Sequence, residues 1–375
     1  MIGTAPATAP AAGAALYATE LLRGRAAFDA LAPEWNALLA RGPCDLPFAR
    51  HEWLSAWLDA FAPEAQPLVV TARDAAGRLA GAAPFLRERR LGVRRLVAPA
   101  NDHSCRFEWA LGPDAVGAAA ALWAHLRDRV GWDLLLLRDL PRDGPTGTLV
   151  PALAAADGHL TGRWESMRSP WIALGGAAVE ERLSAKFRAN LRRRLKKLSE
   201  LGAVSVRRAG AGEEARVMLG EFLALEAAGW KGERGTAIAR DPRTRRFYER
   251  LAEVAAARGW LALRALDLDG RPVAMHFGLV YGGAYYLPKP TYDEGLGPCS
   301  PGQLLFREVV AECAARGLAA LDFLGPDMPW KRDWEPAHRP HDWVYVYRPG
   351  LAGRTIYTMK HCVKPLAKEV LRWWR

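Results

Sequence analysis

Residues 299–305, Cys299-Ser300-Pro301-Gly302-Gln303-Leu304-Leu305, have the composition of a turn that opens an apolar helix. Ser300 suits an N-cap and Pro301 the first helical position. The amides of Gly302, Gln303 and Leu304 are then expected to point outward, unpaired, at the positive end of a helix dipole worth about half a charge. Such an end favours an anion, typically a phosphate or pyrophosphate. A well-capped helix with no ligand satisfies the same pattern. Beyond the helix, an apolar strand at 318–323 leads to Asp327-Met328-Pro329-Trp330-Lys331-Arg332-Asp333-Trp334. Lys331 could neutralise a phosphate as a point charge. Solvation of a loop pinned by Trp330 and Trp334 is the alternative.

The elements that would position these residues recur along the chain. Residues 68–78 and 261–271 share an apolar strand, a turn and a restart, and the second turn, Asp269-Gly270, is a strong hairpin signal. A further strand follows each, at 79–85 and 272–280. A helical segment at 115–129 leads to the apolar run 131–137, just as the helix from Pro301 leads to 317–323. The two halves read as copies of one α/β unit, divided near the Gly- and Pro-rich stretch 141–171, which reads as irregular. In the first copy the segment matching the Ser300 turn is Ala110-Leu111-Gly112-Pro113-Asp114, with an acid where an anion would sit. Anion binding is therefore assigned to the second copy.

Leu183, Phe187, Leu191, Leu195 and Leu198 recur at helical spacing, and Lys186, Arg188, Arg192, Arg193, Arg194, Lys196 and Lys197 take the remaining faces. This predicts a helix whose cations suit RNA, donor phosphates or an anionic membrane, or simply a solvated linker. Apart from Phe187, which belongs to the apolar stripe, no aromatic residue interleaves the cations, which disfavours single-stranded nucleic acid.

The order Tyr292-Asp293, Ser300-Pro301-Gly302-Gln303-Leu304-Leu305, Asp322-Phe323 and Trp330-Lys331-Arg332-Asp333-Trp334 resembles the GNAT-type acyltransferases of the cellulose-biosynthesis (CelD-like) group, relatives of the Fem aminoacyl transferases. The resemblance runs from about Phe48 to Arg348 and takes in Asn190-Leu191-Arg192-Arg193-Arg194 and the strand around Gly81. It implies an α/β (α+β) fold of tandem GNAT-like domains, each a mixed β-sheet flanked by helices. These would span 17–165 and 166–348, after a flexible tail at 1–16 and before a basic amphipathic segment at 349–375. The implied activity is transfer of an acyl group from acyl-CoA, such as acetyl-CoA, to an amine or hydroxyl of a sugar, envelope or polysaccharide-related acceptor. The pyrophosphate signature of GNAT enzymes (Gln or Arg, two residues, Gly, one residue, Gly or Ala) is not legible near Ser300. An aminoacyl-tRNA donor and a non-catalytic accessory role in polysaccharide synthesis stay open as alternatives. On this resemblance Ser300, Gly302, Gln303 and Leu304 hold the donor, Lys331 compensates its charge, and Tyr292 and Trp334 lie on the substrate side.

Acyl transfer to an amine requires a carboxylate, a histidine or a water chain to take a proton. Asp322, at the strand end, is the first candidate, with capping of the Gly325-Pro326 turn as its structural alternative. His276 alternates with Met275 and Phe277 on the strand 273–280 and is placed toward the cleft, although a lone strand histidine is more often structural. Asn101-Asp102-His103-Ser104-Cys105, followed by Glu108, makes Asp102 and Glu108 acceptor-binding candidates in the first copy.

With 375 residues and half of them apolar, the chain can build real cores. The net charge of +11 is carried mostly by arginine, with nine lysines among 52 basic residues, so the local clusters carry more meaning than the total. Cys44, Cys105, Cys299, Cys313 and Cys362 form no ligand-spaced pair, which implies no metal and fits a reducing cytoplasm. The first sixteen residues lack the charged start of a signal peptide, and no apolar run approaches the roughly 20 residues of a membrane span. A cytoplasmic location is expected, with possible peripheral contact at the inner membrane. Ile356, Met359, Val363, Leu366 and Val370 line one side of the C-terminal segment, Lys360, Lys364, Lys368 and Arg372 another, and Trp373-Trp374 close it. Pro365 interrupts that pattern, so packing on the second domain is the alternative.

Overall fold

The computed structural model describes residues 17–175, 179–229 and 238–363. The expected tail at 1–16 and the C-terminal segment beyond 363 lie outside the described residues. The chain divides into two compact units: one contains the chain up to Leu54, Glu64–Ser166 and the chain from His341 onward, the other Ser55–Pro63 and Met167–Pro340.

The first unit begins with β1 (Ala18–Arg23), α1 (Arg25–Ala30), α2 (Ala32–Leu39) and the first turn of α3 (His51–Phe61), whose residues from Ser55 belong to the second unit. It continues through β2 (Leu68–Arg73), β3 (Leu79–Arg90), β4 (Val93–Val97), β5 (Ala110–Leu111), α4 (Ala115–Arg129), β6 (Leu134–Pro141), α5 (Pro145–Ala156) and the start of β7 (Leu160–Ala173), whose residues from Met167 belong to the second unit. The strands pair in the order β1-β2-β3-β4-β6, antiparallel except for parallel β4 and β6, with β5 on β3 and residues 341–347 antiparallel to β6. β2 is buried at nearly every position, which explains its continuous apolar run in place of an alternating one. Leu122, Trp123 and Leu126 of α4 join Trp109 and Trp132 in the core. Asp114, the acid noted above, is the N-cap of α4: its carboxylate accepts from the Gly117 amide at 3.0 Å and from the Tyr17 hydroxyl at 2.6 Å. Such a cap is worth about 1 kcal/mol and occupies the anion-attracting end of the helix.

Residues 141–171 are not irregular, as their Gly and Pro content suggested. Pro145 is the first residue of α5 behind Gly144, and Gly158, at φ +76°, follows its C-terminus. These residues punctuate a helix, which composition alone does not distinguish from a loop.

The second unit contains α6 (Val179–Arg182), α7 (Ala185–Ser199), β8 (Val204–Ala209), α8 (Gly212–Ala228), α9 (Pro242–Ala257), β9 (Leu261–Leu268), β10 (Arg271–Tyr281) and β11 (Ala284–Tyr292). It ends with α10 (Pro301–Ala315), β12 (Ala320–Asp322), α11 (Pro329–Arg332) and the start of β13 (Ala337–Tyr347); α12 (Leu351–Thr358) and a π-helical turn, Met359–Val363, follow in the first unit. The sheet runs β12-β11-β10-β9-β8, with residues 171–173 antiparallel to β12 and β11 parallel to it. Asp269 and Gly270, at φ +50° and +76°, make the two-residue β9–β10 turn that their sequence signals. In each unit a helix crosses between two parallel strands, α4 between β4 and β6 and α10 between β11 and β12. That shared crossover is the structural form of the repeat.

Candidate active site

β12 accompanies β11 for three residues only, from Ala284 opposite Ala320 to Tyr286 opposite Asp322. β11 then runs on to Tyr292 beside β10. Where β12 stops, β11 carries a bulge: Phe277 faces Lys289 and Leu279 faces Tyr286, so Leu287 and Pro288 together stand opposite Gly278. A bulge re-aims a strand and interrupts its pairing. Residues 287–292 thus continue β11 past the end of β12, an extended stretch of the kind beside which an extended ligand can lie. Pro288 and Pro290 carry no N–H, so this stretch is richer in acceptors than in donors. In the first unit the matching divergence is filled by the chain itself: after Val97 the Ala98 amide bonds the Leu136 carbonyl at 3.0 Å, and the Phe107 amide the Asp139 carbonyl at 3.3 Å.

α10 starts beside the β11 edge. Pro301 takes the first helical position as expected, but Ser300 does not cap with its side chain. It adopts φ +46°, and its hydroxyl donates to the Gly297 carbonyl at 3.2 Å. The amides of Gln303 and Leu304 both donate to the Ser300 carbonyl, at 3.0 and 3.3 Å. Of the three amides expected to be free, only that of Gly302 makes no backbone bond among the described residues. A Cβ added at Gly302 would lie 3.5 Å from the ring of Tyr292, which is itself exposed at the end of β11. Gly302 therefore keeps a narrow space open between the helix start and that ring. The Leu304 side chain is core.

The Gln303 side chain is a structural bridge. Its Nε2 donates to the Trp330 carbonyl at 2.9 Å, and its Oε1 accepts from Trp334 Nε1 at 2.6 Å. Trp334, placed on the substrate side by sequence, is instead buried against Phe187 and Phe306, with ring centroids 5.4 and 4.6 Å away. Lys331 is also buried, 4% exposed, and does not belong to a solvated loop. Its ammonium donates to the carbonyls of Leu324 and Pro326 at 2.6 and 2.9 Å and lies 5.9 Å from the Phe323 ring. Two strongly apolar neighbours draw its stem inward while the carbonyls satisfy the head. Asp322 ends β12, where its Oδ1 accepts from the Leu324 amide at 3.0 Å and Oδ2 meets Arg339 at 3.2 Å. It does cap the following turn, and it lies directly across the β11–β12 pair from Tyr286.

His276 does not face an open cleft. It is 1% exposed, on the face of β10 covered by α10, and its ring lies 6.2 Å from that of Phe306. Burial, reinforced by the Arg264 guanidinium, lowers its pKa to about 3, so it is neutral through the physiological range. Arg264 is held in turn by Glu312 of α10, with Nε–Oε2 at 2.8 Å and Nη2–Oε1 at 2.5 Å. A residue that sequence reasoning passed over is Lys289, half-buried at the bulge with its ammonium 5.8 Å from the Tyr248 ring centroid. Its signal was the run Pro288-Lys289-Pro290, a charge flanked by two residues that cannot donate to a ladder.

The acceptor candidates of the first unit are held apart in character. Asp102 is exposed and paired with Arg138 at 2.9 Å. Glu108 is buried and caps the start of α5, accepting from the Thr146 amide at 3.0 Å, and burial raises its pKa to about 7. A Cβ at Gly144 would meet its Oε1 at 1.9 Å, so this glycine admits the carboxyl to the helix end.

α7 forms as the periodicity predicts, capped by the Ser184 hydroxyl and buried through Phe187, Leu191 and Leu198. It packs against α10 and the 3₁₀ turn Glu294–Cys299 that precedes it. Lys186, Arg192, Arg193, Lys196 and Lys197 are exposed, and none has an acidic partner among the described residues. Most other arginines of the chain are paired.

Residues 185–332, from the start of α7 to the end of α11, match the acetyltransferase (GNAT) domain family. The chain carries a GNAT acetyltransferase domain. The protein is accordingly an acyltransferase, and the GNAT match spans the β11–β12 divergence, the α10 start and Lys331. No curated protein matches the sequence. Among solved structures, FemX superposes with a TM-score of 0.60 at 13% identity, over 88% of this chain and 98% of FemX. The C-terminal domain of a putative lysylphosphatidylglycerol synthetase from Agrobacterium fabrum gives 0.54 at 12% identity, over 89% of this chain and 96% of that one. A conserved protein of unknown function from Bacteroides thetaiotaomicron gives 0.52 at 13%, over 85% and 97%. At such identities the likeness is one of fold, a mixed α/β fold whose match covers most of both units.

Proposed function

We propose that the GNAT domain takes its acyl group from acyl-CoA and passes it to an amine or hydroxyl of a sugar-, envelope- or polysaccharide-related acceptor, as in the CelD-like group. The observation that supports this reading most is the departure of β12 from β11 next to the free Gly302 amide. One extended stretch and one anion-attracting helix start then adjoin, which is what a donor with a chain at one end and a pyrophosphate at the other requires. Gly302 and Tyr292 would hold the phosphate end, and the 287–292 stretch the chain. Acyl-CoA supplies a thioester; the acceptor nitrogen or oxygen bonds to its carbonyl carbon, the C–S bond breaks, and the acceptor proton passes through the general base to the departing thiolate, which leaves as the thiol. Asp322, at the mouth of the divergence, is the proposed proton acceptor. His276 and Lys331 act as positioning residues, one packing α10 on the sheet and the other fixing the loop after β12. Asp102, exposed in the first unit, and its half-buried partner Arg138 are the proposed acceptor contacts there, in a protein working in the cytoplasm or at the inner face of a membrane.

A second reading, an aminoacyl-tRNA donor, is favoured by one observation: the unpaired cations of α7 beside the α10 start. The test is a thiol-release assay with acetyl-CoA and longer acyl-CoAs against a panel of amino sugars and sugar alcohols, run beside transfer from radiolabelled aminoacyl-tRNA. Acceptor-dependent thiol release supports the proposal; transfer from aminoacyl-tRNA with none from acyl-CoA overturns it.

A further inference from the structure

Among the described residues the most exposed large apolar side chain is Leu91, 96% accessible at the tip of the β3–β4 hairpin. Leu91 and Gly92, at φ +50° and +79°, form a tight two-residue turn. Asn, Asp and Gly take such a first position with little strain, whereas leucine there costs stability and hides no surface. A strained and fully exposed apolar residue at a tip points outward to function.

Its surroundings say what it meets. Arg89 pairs across the hairpin with Arg94 and Arg90 with Val93, and Arg87 lies one step further back. Arg94 is neutralised by Asp133 at 2.7 Å and Arg95 by Glu88 at 3.2 Å. Arg87, Arg89 and Arg90 are exposed and have no acidic partner among the described residues. The last β4–β6 pair on this side is Arg95 with Leu134, and the Asp133 amide still bonds the Arg94 carbonyl at 2.8 Å, so residues 90–93 overhang the sheet by roughly 7 Å. The same edge receives the end of β13: Tyr347 stands opposite Leu134, and the Arg348 amide bonds the Asp133 carbonyl at 3.0 Å. Three residues on, Leu351 opens α12 and is 85% exposed.

We propose that this edge of the first unit docks on an anionic phospholipid surface, with Leu91 inserted among the headgroups and Arg87, Arg89 and Arg90 as its cationic collar. Leu351 is the second apolar contact. The combination of an apolar tip and an uncompensated basic collar fits a lipid interface. A nucleic acid would use the arginines but gain nothing from a leucine, and the hairpin's one aromatic residue, Phe85, is buried in the core and offers no ring for a base to stack on. The inference is independent of which acyl donor the second unit uses.

The test is co-sedimentation of the full chain with phosphatidylcholine vesicles with and without phosphatidylglycerol, at several salt concentrations. Wild type is expected to bind only the anionic vesicles. Leu91→Asn should weaken binding about tenfold. Because asparagine accepts the left-handed conformation, its melting temperature should be unchanged or higher. Arg87→Gln, Arg89→Gln and Arg90→Gln should each cost about fivefold and flatten the salt dependence. Equal binding by Leu91→Asn, equal binding to neutral vesicles, or a lowered melting temperature of Leu91→Asn would overturn the proposal. So would failure to bind vesicles together with RNA binding indifferent to Leu91.

Discussion

Lys331→Met separates a structural lysine from a ligand-binding one. Methionine keeps an unbranched apolar stem between Phe323 and Trp330 and removes only the ammonium. That ammonium donates to the Leu324 carbonyl at 2.6 Å, which is buried, and to the Pro326 carbonyl at 2.9 Å, whose residue is exposed. A hydrogen bond to a charged group contributes about 1.5–3 kcal/mol, and water can replace the lysine at Pro326 but not at Leu324. The pinned loop also holds Leu324 and Gly325 at φ +52° and +59°. Relief of the buried charge offsets part of the loss. The net expectation is a destabilisation of about 2–3 kcal/mol, or roughly 5–10 °C in melting temperature for a domain of this size. Differential scanning fluorimetry reads the melt, and titration of acyl-CoA well below it reads affinity. The expected variant melts earlier and binds donor within about threefold of wild type. An unchanged melting temperature with donor binding abolished would place the ammonium on the donor phosphate and refute the reasoning.

Two buried groups give the units opposite responses to pH. His276 has its pKa lowered from 6.5 to about 3, so its contribution is intact above pH 6.5 and is lost as pH falls through that window; it amounts to up to about 5 kcal/mol. His276→Leu should move the acid-unfolding midpoint of the second unit to lower pH, and an unmoved midpoint contradicts the assigned burial. Glu108 has its pKa raised from 4.5 to about 7, so its contribution is intact below pH 4.5 and is lost as pH rises through 7, at a cost of up to about 3 kcal/mol. Glu108→Gln keeps an acceptor for the Thr146 amide and should remove that decline in urea unfolding of the first unit between these limits. Persistence of the decline would assign it to another group.

What could be read from the sequence was mostly local. The Asp269-Gly270 turn, the α7 stripe with its Ser184 cap and the repeated strand–helix–strand order each depend on residues close in the chain, and each is present. The site was legible as a location but not in its details. Ser300 looks like a cap because serine is a good one, yet its left-handed backbone directs the hydroxyl back to Gly297, and its carbonyl takes two of the amides expected to be free. Burial misled most. Lys331, Trp334 and His276 are chemically suited to a site, and only the packing of Phe187, Phe306 and Phe323 around them, brought from distant parts of the chain, makes them structural. Lys289 and the part of β11 beyond β12 were missed because a sheet edge is defined by where its neighbour stops, and the early end of β12 leaves no mark in composition. Leu91 was missed for the opposite reason: a lone leucine between arginines reads as ordinary until its exposure is known.

The central claim is that a donor phosphate sits at the start of α10, over the free amide of Gly302. Isothermal titration of acetyl-CoA and longer acyl-CoAs into wild type and Gly302→Asp tests it directly. Aspartate in the first helical turn favours the helix, so the variant should fold as well as wild type, while its charge opposes a phosphate at that end. The account predicts one acyl-CoA bound per wild-type chain and affinity reduced about tenfold or more in Gly302→Asp at an unchanged melting temperature. Equal affinity in the two proteins, or no binding by folded wild type, would contradict it.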